Sequence, residues 1–537
     1  MTIRISFRAL FAAAFSAALG ACAPRGPAAP TPTPVPNAPV VITPAPLPPP
    51  NSALPPVPHV TGPLEIKVVY PTAGQVIQSK DSNFIFGSVG NGDAALTING
   101  VPTPVWPNGS FIGWLHNPPP EMARYDLVAA TSTDTARLSH PIKYPPPAST
   151  TPAVAPVDTA PKLTGVQYAT LIRPSTVPND TDAVVRAYLP GEEDPRWLLL
   201  PGTVVKVAEI RNADAYVDLG SAGKVRIPKA AMTLLPPTYA PVNRVAKAFR
   251  VTPAAEWVDI AIPVSSTPEF LVEEGDSSIV LTFYSTAGAP QSSLALPTSL
   301  YAASVVSTPA GADLRYTISL RGPAYGYQPL WQDSTFIFRV RRPPPIAPTE
   351  PLRGLTIAID PGHPPLGATG PTGLYEAVAT LAVGLRVQAL LQAKGVNVVM
   401  TRTTDSAVAI DDRTMIARRA NSHALVSIHL NALPDGMNPF VAQGTTTYYF
   451  HPQALPLATP IHQALLRLMG LPDKGVKRGS LVLTRPTWMP AVLCEGAFLM
   501  MPDQEAAIRT PEYQDKYARG VVEGLETYFR SLGQAPH

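Results

Sequence analysis

Two hydrophobic rhythms divide this chain. From residue 354 onward, short unbroken apolar runs alternate with longer stretches of helical period. Residues 355–359, 396–400, 424–428, 445–450, 481–484 and 491–493 read as strands. Runs without polar interruption are what a sheet buried on both faces requires. Residues 377–395 carry an apolar stripe at Leu381, Leu385, Val387, Leu390 and Leu391 and stop at Lys394-Gly395, a helix end. Residues 412–421, 461–469 and 512–532 read as further helices. This alternation predicts an α/β domain over 354–535, with a mostly parallel sheet and helices on both faces. Upstream, the period is two. Ile66-Lys67-Val68-Val69-Tyr70, Leu96-Thr97-Ile98-Asn99-Gly100, Trp257-Val258-Asp259-Ile260-Ala261-Ile262 and Phe336-Ile337-Phe338-Arg339-Val340 all alternate, and Asn99-Gly100 is a hairpin signal. The fold class expected is therefore multidomain, with all-β domains ahead of one α/β domain.

Proline changes the picture by marking boundaries. The 537 residues include 67 prolines, well above the usual share of about 5%. They cluster at 22–58, 145–161 and 342–353, which read as a tether and two linkers. Between them lie an Ig-like β-sandwich at 59–144, an SH3-like β domain at 162–236 and a β-sandwich at 240–341. At about 3.1 Å per residue the tether reaches on the order of 100 Å. Trp106 and Trp114 of the first sandwich read as core residues, with glycan contact as the alternative.

The N-terminus says where the chain works. Arg4 and Arg8 precede a small apolar run that is too short to span a bilayer, and residues 1–21 read as a signal peptide. It ends Leu19-Gly20-Ala21-Cys22, which resembles a bacterial lipobox with Cys22 as the lipidated residue. Ala23 follows, so the expected location is the outer membrane, facing the periplasm, with the membrane as partner through the lipid. With Cys22 modified, Cys494 has no partner for a disulfide. A net charge of +3, only 15% charged residues and no basic run exclude a nucleic-acid binder.

The chemistry is concentrated in the last third. Ile359-Asp360-Pro361-Gly362-His363 ends one strand run, Glu376 opens a helix, and Ser427-Ile428-His429-Leu430-Asn431 ends a second run. His363, Glu376 and His429 form a His₂Glu set, suited to one catalytic Zn²⁺ with an open position. Glu495, after a third run, suits a general base. Ligands of such sheets bind beyond the carboxyl ends of the strands, where all four residues are expected. Asp360 and Asn431 are candidates to orient the histidines. His423, His451 and His462 read as structural, Cys494 as a buried strand residue, and Arg402 and Arg413 as residues that fix loops.

In order and spacing these strings, with Thr401-Arg402-Thr403-Thr404-Asp405 and Val492-Leu493-Cys494-Glu495-Gly496-Ala497-Phe498, resemble the Amidase_3 zinc-dependent N-acetylmuramoyl-L-alanine amidases over 354–532. The resemblance implies zinc held by His363, Glu376 and His429, Glu495 as catalytic carboxylate, and peptidoglycan as substrate. The alternatives are a retired amidase acting as a wall-binding scaffold, or a zinc amidase of soluble muropeptides. The β domain at 162–236 is similar to cell-wall SH3 modules, and 240–341 resembles the AMIN-like modules found upstream of wall amidases. Two departures stand out. Leu499-Met500-Met501 occupies a place where the family often has asparagine, and residues 433–444 leave no room for the regulatory helix some members carry. Control is therefore expected from the β domains, the tether or an activator protein of unknown identity.

Overall fold

The computed structural model describes residues 42–146, 165–173, 184–288, 292–365 and 367–534. The expected leader, Cys22 and the start of the tether lie outside the described residues. Among the described residues no helix is long and apolar enough to cross a membrane.

The C-terminal unit is built on a six-stranded sheet. Its strands are β1 (Thr356–Pro361), β2 (Asn397–Met400), β3 (Ala424–Asn431), β4 (Thr445–Tyr449), β5 (Asp473–Arg478) and β6 (Ala491–Phe498), in the spatial order β2-β1-β3-β6-β4-β5. The first four in that order are mutually parallel. β4 runs antiparallel to β6, with β5 parallel to β4 at the edge. The helices are α1 (Glu376–Ala393), α2 (Ile410–Arg419), α3 (Pro439–Ala442), α4 (Leu455–Met469), α5 (Pro502–Ile508) and α6 (Pro511–Gln534).

Alternation along each strand sorts side chains to two layers. Ile357, Ile359, Val426, Ile428 and Val492 face α1, α4 and α6. Ala358, Leu425 and Leu493 face Ala417 of α2 and Leu483. All are buried, and each large aliphatic side chain contributes about 1.5–3 kcal/mol relative to exposure. Gly384 lets α1 lie close to the end of β1, since a Cβ there would meet Pro361 Cγ at 2.6 Å. Two segments differ from the sequence reading. Residues 482–484 form a 3₁₀ turn, closed by Thr484 Oγ1 donating to Gly479 O at 2.7 Å. β5, Asp-Lys-Gly-Val-Lys-Arg, pairs as an edge strand despite its polarity, because only one side of it is covered.

Residues 67–141 form two sheets. One pairs Lys67–Tyr70, Ser82–Ser88 and Ser110–His116; the other pairs Val101–Thr103, Ala95–Ile98, Arg124–Ala130 and Thr135–Pro141. Asn99 and Gly100, both at positive φ, close the two-residue hairpin. Ile85, Leu96, Ile98, Phe111 and Leu127 fill the space between the sheets. The outer face of the three-stranded sheet is apolar too. Phe84, Phe86, Trp106 and Ile112 pack on Phe498, Met500 and Met501 of the C-terminal unit.

Residues 165–234 carry a five-stranded sheet and a two-stranded one, and residues 244–341 carry sheets of two, four and five strands. One apolar cluster runs through both, from Ala169 to Val340, and Trp197 Nε1 donates to Tyr284 OH at 3.2 Å across them. The tether was expected to run free to residue 58. Instead, Leu54 packs on the core of the C-terminal unit and Asn51 Nδ2 donates to Gly470 O at 3.0 Å, because the segment contains apolar side chains that find cover there.

Candidate functional site

The site begins with a strained turn. β1 ends at Pro361, and His363 follows with φ of 57°, a left-handed backbone uncommon outside glycine. Two buried arginines hold this turn by its carbonyls. Arg402 donates to Pro361 O at 2.8 Å and Gly362 O at 2.9 Å. Arg413 donates to Pro361 O and His363 O, each at 2.9 Å, and to Pro364 O at 2.8 Å. Position 362 must be glycine, since a Cβ would lie 2.4 Å from His429 Cε1.

Glu376 is the first residue of α1 and is buried. Its Oε2 accepts from Ala368 N at 2.8 Å and lies 3.2 Å from His363 Nε2. Its Oε1 accepts from Leu430 N at 3.0 Å and lies 3.1 Å from His429 Nδ1. Burial opposes ionisation here, yet both histidines hold this carboxyl well below the usual carboxylate range. Burial likewise opposes charging His363, but the carboxylate overrides it and raises the imidazole pKa. His363 Nδ1 faces Pro365 O at 3.2 Å, which leaves Nε2 for the shared centre. One donor atom from each of the three residues fits within 4.8 Å of the others, the one such cluster among the described residues. Two imidazoles and a carboxylate converging in this way fit a divalent transition metal.

Glu495 is brought alongside by register. β3 and β6 pair His429 with Glu495 directly, so both side chains emerge on the α2 face. The two residues sit inside their strands, near the C-terminal ends, rather than just beyond them. Glu495 Oε2 is buried and has no hydrogen-bond partner. Burial first, and the Glu376 charge second, push its carboxyl well above the usual range. Two neighbouring carboxylates thus have opposite proton affinities, the pattern that separates a ligand from a proton carrier. Cys494 points to the opposite face, unpaired, its thiol pushed up to about 12 by burial.

The orienting candidates act differently from expectation. Asp360 touches neither histidine. Its carboxylate accepts from Arg413 Nη1 at 2.7 Å, Thr401 Oγ1 at 2.5 Å and Ser427 Oγ at 2.6 Å, so it positions the arginine that pins the His363 turn. Asn431 lines the cleft beside Glu495. Sequence reasoning missed Tyr517, whose hydroxyl donates to His429 O at 3.1 Å and Cys494 O at 2.8 Å. It also missed Glu505, which accepts from Thr372 N and Leu374 N and holds the turn before Glu376. Both contacts span large sequence separations that no local pattern announces. His423 accepts from Thr356 N, His451 pairs with Glu274 and His462 with Asp473, all away from the cluster.

Residues 357–527 match Amidase_3, the N-acetylmuramoyl-L-alanine amidase family. The sporulation-specific N-acetylmuramoyl-L-alanine amidase of Bacillus subtilis is 31% identical over 182 residues, covering 32% of this chain and 68% of that protein. This chain belongs to the Amidase_3 family. It is 33% identical over 187 residues to the probable cell wall amidase LytH of Staphylococcus epidermidis, and 33% over 186 residues to the N-acetylmuramoyl-L-alanine amidase LytC of B. subtilis. These matches cover 34% of this chain, and 61% and 36% of those proteins, so the chain spans less than two thirds of either. The family unit here is shaped for its neighbours. Leu499, Met500 and Met501 are buried, the two methionines against the first sandwich. The 433–444 loop holds only the single-turn α3. Its Asp435 accepts from Gln78 N at 2.9 Å and Asn83 Nδ2 at 3.0 Å, and also from Tyr70 OH.

Proposed function

We propose that this chain hydrolyses the amide bond between N-acetylmuramic acid and L-alanine in peptidoglycan, with one zinc ion held by His363, Glu376 and His429. The observation that carries this reading is the convergence of that donor set with the half-buried Glu495, whose buried Oε2 has no hydrogen-bond partner, near the C-terminal ends of the central strands. When bound, zinc supplies Lewis-acid polarisation of the scissile carbonyl and lowers the pKa of water to about 7. Glu495 takes a proton from the attacking water at its free Oε2 and returns it to the leaving amine nitrogen, general base turned general acid. Burial of Glu495 excludes competing water from that oxygen. Arg402 and Arg413 hold the His363 turn so that its Nε2 stays aimed at Glu376.

The same proposal covers the chain's setting. A lipid on Cys22 would anchor it in the outer membrane facing the periplasm, and the tether would carry the enzyme to the wall. The segment over 59–144 is assigned as Ig-like, 162–236 as SH3-like and 240–341 as AMIN-like.

The deciding experiment is product analysis on purified sacculi with the zinc-loaded chain. Free stem peptides with N-terminal L-alanine are expected. Sacculi bound but left intact would instead favour a scaffold, and release from soluble muropeptides alone a recycling hydrolase. A second result is expected at the turn. Arg413→Lys loses the forked contacts to His363 O and Pro364 O and weakens zinc affinity by about 10–100-fold. Competition against a chromophoric chelator reads this directly, and unchanged affinity would mean that Arg402 alone holds the turn.

A further inference from the structure

The cleft that contains Glu495 does not end at the family unit. It continues into a trough of about 1680 Å³ whose far wall comes from residues 184–228 and 270–274, outside the stretch that matches the family. The acids of this trough are mostly paired. Asp194 bonds Arg478 at 3.2 Å, Asp214 bonds Arg226 at 3.2 Å, Glu274 meets His451 at 3.2 Å and Glu273 faces Arg196 at 3.7 Å. Glu192 and Glu193 have partners of their own, and Asp411 stands exposed at the start of α2.

Three cations are left over: Lys477, which is exposed on β5, and two partly buried arginines. Arg485 donates only to Ser480, through Nε to Oγ at 3.1 Å and Nη2 to O at 2.8 Å, which leaves Nη1 without a partner among the described residues. Arg186, on the strand Val185–Ala187, is partly buried, and its guanidinium makes no hydrogen bond or ion pair among the described residues. Burial, then the Arg186 charge, lowers the Arg485 guanidinium to about 10, against the opposing pull of Tyr188, Asp411 and Asp194. Like charges held together in a partly buried trough cost free energy unless an anion joins them.

We propose that Arg186 and Arg485 form a carboxylate-binding subsite for the acidic peptide stem of the substrate, with one guanidinium from each side of the trough. The planar donors of arginine suit a carboxylate, which takes two N–H bonds at once. The substrate class rests on the amidase reading above; the subsite itself rests on the trough and its unpaired cations. A β accessory unit would then build part of the substrate cleft, beyond any wall targeting.

The test is calorimetric binding of a synthetic stem peptide, L-alanine followed by γ-linked D-glutamate, to the full chain, beside the same peptide with its carboxylates amidated. Wild type is expected to prefer the acidic peptide by about tenfold or more. Arg186→Ala should erase that preference with an unchanged melting temperature, and Arg186→Lys should keep part of it. Equal binding of the two peptides by wild type, or a preference that survives Arg186→Ala, overturns the subsite. Preference for the acidic peptide without any release from sacculi upholds the subsite and removes the amidase reading instead.

Discussion

Glu495→Gln lowers amide hydrolysis by about 10²–10⁴-fold while zinc binding persists. The magnitude is that of removing a positioned general acid–base. Glutamine keeps the shape of the side chain and its place opposite His429 in the β3–β6 register, so folding is unaffected. It cannot take the proton. Two features support the proposed role of Glu495 as the proton carrier. Its Oε2 has no competing donor, and its raised proton affinity suits accepting a proton that Glu376, held low by two histidines, would refuse. Steady-state release of stem peptides, with zinc content measured in parallel, checks the expectation. Activity within threefold of wild type would remove Glu495 from the reaction, and loss of zinc in the variant would make it a ligand instead.

The second large effect is on stability. Arg341→Met is expected to cost about 3–5 kcal/mol, the range for stripping one partner from a buried polar network. Arg341 ends the last accessory strand, Thr335–Arg341, and is fully buried. Its guanidinium donates to Ser422 O at 2.7 Å, Asn421 O and Oδ1 at 3.0 Å, and Trp488 O at 3.1 Å, all in the C-terminal unit. It also pairs with Glu256 at 3.1 Å, and Asn421 Nδ2 closes the network on the same carboxylate at 2.6 Å. Methionine fills the space but leaves those carbonyls unpaired. Lysine recovers little, lacking the planar fork. Denaturant unfolding of the full chain reads the loss. A midpoint equal to that of wild type would show that apolar packing alone joins the two units.

The site was legible wherever its signal was local. Apolar runs that end in His363, His429 and Glu495 carry both halves of the information, since an unbroken run predicts a doubly covered strand and the polar residue near its end predicts a position at the sheet edge. Glu376 was legible because it opens a helix. The roles of Asp360 and Arg413 were not. An aspartate beside a ligand string reads as a partner for histidine, and only the fold shows Arg413 closer to hand, 53 residues away. β5 escaped because an edge strand needs one covered side, and Asp-Lys-Gly-Val-Lys-Arg looks like a loop. Phe84-Ile85-Phe86 lies in a strand of the first sandwich and is buried on both faces. Its unbroken apolarity already said that both faces are covered, without saying by what.

The sequence by itself determined the α/β order of the last third, the three-residue donor set and the carboxylate beside it, because period and strand-end position are properties of neighbouring residues. Tertiary structure alone decided what surrounds that site. It set Met500 and Met501 under the first sandwich, clasped Asp435 to Asn83, closed Arg341 over the carbonyls of residues 421, 422 and 488, and made an accessory strand one wall of the cleft. Each of these joins residues from 80 to more than 350 positions apart. Such contacts are set by how whole faces fit and which buried polar groups find partners, and no window of sequence contains both sides.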